Sequence, residues 1–351
     1  TTTSTTSAKP IDDRHPQPPS STARQSAPSD RRPDAGSLLS TTALFLWLAY
    51  LVIVIALPEA DLLRKGSTTP VTVLAGTWLI ALIAWTLTAR VRPASSVARS
   101  LTHFLPWINA AGVWFIVWQL TTSKLGLLTP PYFAAPEVLI ASFLGDWRLL
   151  LSCLGASALL FIIGYTAGSV LGFFTGLLMG WSRRADYWFH PLLQTIGPVP
   201  AASLLPLALL LLPTTYASAA FIVGFGAWFP MATMTRAGVR SVRRDYIDMA
   251  RTLGADELFL IRRVAVPSAL PDMLTGLFTG LGTSLAALMT AELTGVDKGL
   301  AWYINWVKGW ADYPRMYVGL IILVTFCRTL MVLLFKIRSS LLAWQQNLVR
   351  W

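Results

Sequence analysis

Apolar runs long enough to cross a bilayer recur along this chain, and they constrain its fold more than any other feature. A helix needs about 20 mostly apolar residues to span the hydrocarbon core. Eight runs qualify, at about 39–58, 70–89, 104–122, 149–180, 190–212, 218–237, 273–295 and 316–335. Backbone polar groups have no water to bond in lipid, so runs of this kind predict an all-α, polytopic helical bundle with about eight transmembrane helices. The fourth run is too long for one perpendicular span, so its start is expected in the outer interface or its helix tilted. Of 351 residues, 54% are hydrophobic and only 13% charged, about half the charged share of a soluble domain. A chain so composed cannot cover its own surface in water, which excludes an ordinary soluble enzyme and a disordered scaffold.

The formal net charge of +11 reads as basic loops on one side of a membrane rather than as a nucleic-acid surface. With the N-terminus inside, cytoplasmic segments collect 20 of the 28 basic residues and outer segments seven, with Arg328 left inside the last span. That split favours an N-in/C-in topology. Residues 1–38 are rich in Thr, Ser and Pro with few large apolar side chains, and read as a disordered cytoplasmic tail. Residues 39–100, closed by the basic stretch Arg90 to Arg99, read as a separate two-helix unit. Cys153 and Cys327 lie in apolar runs, and His15, His103 and His190 are scattered, so neither a disulfide framework nor a metal site is expected. Tryptophans near span ends (Trp147, Trp181, Trp188, Trp302, Trp306, Trp310) read as an interfacial belt.

Four segments carry more specific information. Gly164, Gly168, Gly172, Gly176 and Gly180 recur at a four-residue step, which clears one helix face for close packing by a neighbour. The fifth run carries Pro198, Pro200 and Pro206, with Pro213 just beyond its end, too many missing donors for a straight helix. Broken backbone at membrane depth is tolerated where it is buried in protein or lines a cavity. The expected translocation path therefore includes Gln194, Thr195, Pro198, Pro200 and Ser203, together with the polar Thr283, Ser284 and Thr290 of the seventh run. Glu292 and Arg328 are intramembrane charges. They read either as an interhelical pair or as path residues contacting an anion. Between runs six and seven, Arg243 to Pro271 reads as a short helix, a break at Gly254, a second amphipathic helix and a proline stop. Leu258, Ile261 and Val264 are expected to face inward and Arg262 and Arg263 to stay wet.

That last stretch also resembles a family. Asp248-Met249-Ala250, then Gly254, then Val264-x-Val266-Pro267 is similar to the Glu-Ala-Ala…Gly…Ile-x-Leu-Pro signature of the permeases of bacterial ATP-binding-cassette (ABC) importers. Asp248, Met249 and Val266 depart from it conservatively. Arg251-Thr252-Leu253-Gly254-Ala255, the tail Arg262 to Pro271, the glycine ladder and Pro198-x-Pro200 look like the nitrate, sulfonate, taurine and bicarbonate group. So do Pro136-Glu137-Val138-Leu139, Ala291-Glu292 and Arg350-Trp351. The resemblance covers about residues 104–351 and leaves the first 100 outside.

It implies a six-helix importer core over 101–351, with a coupling loop at 243–267 that docks on a separate ATPase. Tyr246, Asp248, Met249, Ala250, Leu253, Gly254, Ala255, Leu258, Ile261 and Pro267 would form that contact. It further implies a multi-pass protein of the bacterial inner membrane, paired with a second copy as a homodimer and supplied by a periplasmic binding protein. The substrate would be a small anion of the nitrate, bicarbonate, taurine or alkanesulfonate type. The chain has no Gly-Lys dipeptide and hence no Walker A loop. ATP and Mg are expected on the partner ATPase, with no cofactor and no enzymatic activity in this chain. The alternatives are an ABC permease for another small solute and a secondary transporter driven by an ion gradient, which would call for inverted repeats and several buried ionisable groups.

Overall fold

The computed structural model describes residues 35–58, 68–91 and 96–342. Residues 1–34 and the terminal Arg350-Trp351 pair lie outside the described residues, as do 59–67 and 92–95. Every regular element described is helical. In chain order these are α1 (Ala35–Ala56), α2 (Thr69–Val91), α3 (Ser96–Gln119), α4 (Pro136–Trp181), α5 (Arg183–Ile196), α6 (Leu205–Leu211) and α7 (Thr215–Arg240). There follow α8 (Arg244–Thr252), α9 (Glu257–Phe259), α10 (Val266–Thr294), α11 (Leu300–Gly309) and α12 (Tyr313–Leu341). Among the described residues, seven helices are long and apolar enough to cross a membrane, and α5 with Ala201–Leu211 makes an eighth if the bent pair counts as one span.

The centre of the molecule is a slab of α4, α7 and α10. On α4 a Cβ at Gly164 would stand 2.8 Å from Val223 Cβ, at Gly172 2.6 Å from the Trp228 carbonyl, and at Gly180 2.6 Å from Val239 Cβ. Gly168 rests on the backbone of Gly224, and Gly176 lies against Ala232 and Thr235. Both helices advance by about four residues per contact, so their backbones meet without side chains between them. The other face of α7 meets α10 in the same manner, through Gly226 beside Ser284, Ala227 beside Gly280 and Met231 beside Gly276. Residue numbers rise together along α4 and α7 but run opposed along α7 and α10. Because α4 and α7 are parallel, the segment between them must carry the chain back across the membrane. That makes α5 and α6 one interrupted crossing, bent by 91°.

Helix α4 begins earlier than hydropathy indicates. It holds 46 residues, about 69 Å at 1.5 Å per residue, well over the thickness of a hydrocarbon core. Its first turns carry Glu137, Asp146 and Arg148, which dilute the apolar signal without breaking the helix. They extend beyond the slab to pack with α11 and the start of α12 around Leu150, Tyr303 and Val318. Asp146 accepts a hydrogen bond from the Tyr303 hydroxyl at 2.8 Å and pairs with Arg315 at 3.3 Å.

Helices α1 and α2 form a satellite cluster with α3 around Trp47, Tyr50, Val71 and Leu82. Lys124 ties this unit to the rest by donating to the carbonyls of Val54 and Leu57, at 3.1 and 2.6 Å, where α1 ends. A cation there meets the negative pole of the helix. Beside it Glu137 is buried, accepting from Ser123 at 2.5 Å and Gln119 at 3.1 Å.

Candidate functional site

The segment following α7 is a helical hairpin. Helix α8 closes in a left-handed turn: Gly254 has φ of +83°, and Ala255 N–H reaches back to the Ala250 carbonyl at 3.1 Å. This six-to-one bond with a glycine in the left-handed region is the Schellman arrangement, and a side chain at that φ costs about 1 kcal/mol or more. The chain restarts at Asp256, whose carboxylate accepts the Phe259 N–H at 2.9 Å.

From there the structure departs from the sequence reading. No stop occurs at Pro267, because Glu257–Thr294 runs as one helical segment of 38 residues. A π-turn at Leu260–Ala265 feeds directly into α10, placing Pro267 in that helix's first turn. A proline is tolerated there because its missing N–H falls where the bonding pattern has already changed register. The same π-turn rotates the apolar face. Leu260 and Ala265, five apart, are buried, Ile261 and Val264 are half-buried, and Leu258 is exposed rather than inward.

The two faces of α8 differ. Arg244, Ile247, Asp248 and Arg251 line a cavity against the ends of α4 and α7. Tyr246, Met249 and Leu253 point away from the protein, with Met249 61% and Leu253 84% exposed. Leu258 and Phe259 add to this outer surface, Ala250 and Ala255 are half-buried at its edge, and Pro267 is exposed farther along. Asp248 therefore stands on the opposite side of α8 from the exposed apolar residues. Phe259 carried no sequence signal beyond its apolarity.

Polar bonds strap the hairpin to the bundle. Glu257 accepts from the Trp181 indole N–H at 3.1 Å and from Arg251 at 2.9 Å, joining the end of α4 to both arms. One step away, Asp186 of α5 is held by Arg236 and Arg240 of α7, each at 2.5 Å.

The residues proposed for the path separate into three groups. Gln194, Thr195, Pro198, Pro200 and Ser203 all lie exposed at the break between α5 and α6. There Gln194 bonds His190 at 3.1 Å, while Thr195 and Ser203 bond the carbonyls of Pro191 and Pro200. Gly197 is pressed against the ring of Phe229, which the sequence reading did not single out. On α10, Thr283 is exposed and donates to the Gly226 carbonyl at 2.6 Å, and Thr290 is half-buried. Ser284 is buried and donates to the Val223 carbonyl at 2.9 Å, joining α10 to α7.

Glu292 and Arg328 do not pair. Glu292 is fully buried, accepting from the Ser157 hydroxyl at 2.5 Å and from the Ala301 N–H at 2.8 Å, while Ser157 also accepts the Leu300 N–H. A carboxylate and a hydroxyl thus satisfy the first N–H groups of α11, where negative charge is favoured. Gly299 is what lets the carboxylate approach, since a Cβ there would stand 2.6 Å from its oxygens. Arg328 lies on α12, which packs on the bundle through Phe326, Leu330 and Leu334. Two residues from Phe326, Arg328 is exposed on the outward face and forms no ion pair with a described residue.

Comparison with known proteins agrees with this architecture. Residues 168–343 match the family described as the binding-protein-dependent transport system inner membrane component. The chain belongs to that family: it is a multi-pass inner-membrane permease of the ABC importer type. Its relatives place it in the nitrate and sulfonate group. It is 30% identical over 182 residues to the aliphatic sulfonates transport permease protein SsuC of Escherichia coli K12, covering 50% of this chain and 67% of the relative. It is 26% identical to the nitrate import permease protein NrtB of Synechococcus elongatus, covering 52% and 72%. It is 27% identical to the formylaminopyrimidine transport permease protein ThiX of Halalkalibacterium halodurans, covering 44% and 62%.

Proposed function

We propose that this permease imports a small oxyanion or sulfonate of the nitrate, bicarbonate, taurine or alkanesulfonate type. A periplasmic binding protein hands over the substrate, and ATP is hydrolysed on separate ATPase subunits that carry the Mg. Two copies of the chain form the translocating unit. The observation that carries this reading is the outer face of the hairpin. Tyr246, Met249, Leu253, Leu258 and Phe259 expose large apolar surface on an otherwise charged loop, as an interface with a protein partner does.

The mechanism follows from that attachment. ATP closes the ATPase dimer and draws the docked hairpins together. Since Glu257–Thr294 is one helical segment, displacement of the hairpin is delivered straight into α10 and, through the close glycine contacts, into α7. The break at Gln194 to Ser203 lies against both helices and changes its opening with them. Each opening is one arrangement of a two-state bundle, biased by nucleotide on one side and by the loaded binding protein on the other. The break offers hydroxyls, an amide and backbone rather than a cage of cations, so substrate choice rests chiefly on the binding protein. The names of SsuC and NrtB support an anionic substrate.

Purification of the tagged chain from native membranes in mild detergent tests this reading. An ATPase with a Walker A sequence should be recovered in stoichiometric amount. Recovery of the chain alone, with uptake in liposomes driven by an ion gradient, would refute it.

A further inference from the structure

We infer that the cavity behind α8 is a binding site for a phosphate-bearing anion. The cavity has a volume of about 760 Å³ and lies on the side of the hairpin away from its exposed apolar face. Four arginines line it from three places: Arg183 at the start of α5, Arg240 at the end of α7, and Arg244 and Arg251 on α8. Only two carboxylates share the lining, Asp248 and Glu257.

Cytoplasmic loops of membrane proteins are basic in general, so number alone means little. Pairing is more telling. Arg236 and Arg240 share Asp186, Arg243 holds Asp245, Arg251 holds Glu257 and Arg315 holds Asp146 and Asp312. Arg183 and Arg244 face the same cavity and have no ion pair with a described residue, and they outnumber Asp248, the one lining carboxylate that also has none. Like charges gathered around one concave space repel unless an anion joins them, and a planar guanidinium suits the oxygens of a phosphate. The rest of the lining fits an amphipathic ligand. Trp181, Val239, Val242 and Ile247 give it an apolar wall where α4 and α7 end. Basic pockets between helix ends take anionic headgroups. A free phosphate compound would satisfy the same arginines. Bound there, either would bridge α5, α7 and α8 and hold the hairpin against the span ends, setting how freely it moves.

The test uses the full-length permease in nanodiscs of phosphatidylglycerol or phosphatidylcholine, followed by detergent extraction and native mass spectrometry. Inorganic phosphate is titrated against delipidated protein in parallel. Wild-type protein is expected to retain phosphatidylglycerol at least tenfold better than Arg183→Gln/Arg244→Gln, while Arg262→Gln/Arg263→Gln, outside the cavity, retains it like wild type. Loss of phosphate binding in the cavity variant, with no difference in lipid retention, would support the site and name the free anion as its ligand. Equal binding of both probes by wild type and the cavity variant overturns the proposal. So does equal loss in the two double variants, which would mark a diffuse basic surface. If the double variant does not fold, Arg183→Gln alone, at an exposed position, carries the comparison. Co-purification of an ATPase is a separate readout, so failure here leaves the importer reading standing.

Discussion

The slab of α4, α7 and α10 and the hairpin at 244–265 use small and apolar residues in opposite ways. In the slab, glycines remove side chains so that backbones touch, and the facing surfaces of α4, α7 and α10 cover one another. In the hairpin, one glycine shapes a turn, and the apolar side chains around it stay uncovered. The contacting faces of the first region cover one another, whereas the second presents uncovered apolar side chains, the surface proposed above to meet the ATPase. Change in the slab should therefore damage the protein, while change on the hairpin's outer face should damage only its work.

The sharpest break of that contrast is Gly168→Leu. The side chain would be driven into the backbone of Gly224, and overpacking of this kind costs at least about 1–3 kcal/mol, more when the obstacle is main chain. Folded protein should be lost almost completely, as read by size-exclusion recovery from detergent. Next is Gly254→Trp or Leu258→Asp. Either should abolish transport while leaving membrane insertion intact and stability within about 2 kcal/mol of wild type, the cost of the left-handed φ at position 254 included. Transport at the normal rate would remove the hairpin from the coupling role.

Glu292→Ala sharpens the comparison from within the bundle. It leaves the Ser157 hydroxyl and the Ala301 N–H without their acceptor, at about 1–3 kcal/mol for each group. Uptake should fall only in proportion to folded protein, and Glu292→Gln should recover part of the stability. A loss of uptake at full stability would return Glu292 to the translocation path. The smallest effect is expected from Glu257→Ala. Its bonds to Trp181 and Arg251 are exposed, worth less than about 1 kcal/mol, so unfolding should barely move and only coupling efficiency, uptake per ATP hydrolysed, should decline.

Hydropathy made the spans legible, and the four-residue glycine step made the α4 face legible, because lipid leaves few alternatives for either pattern. The start of α4 was not readable in this way, since Glu137, Asp146 and Arg148 lie beyond the membrane-like stretch and a helix outside lipid need not be apolar. Pro267 misled for a different reason. The π-turn before it, which has no composition signal, shifts the bonding register so that its missing N–H is tolerated, and α10 then runs on through Pro271 as well. Glu292 showed itself as an intramembrane charge, but its partners Ser157 and Ala301 come from distant or looped segments that spacing does not connect. The hairpin was readable as a whole, whereas the separation of Asp248 from Met249 and Leu253 onto opposite faces required the structure.

That separation gives the most direct test of the docking claim. A photo-crosslinking amino acid is placed at Leu253 on the outer face or at Ile247 on the cavity face, in cells carrying the whole transport system. An ATPase adduct is expected from position 253 and little or none from position 247. Strong crosslinking from 247 with none from 253 would contradict it, because the partner would then enter behind α8 rather than cover its exposed face.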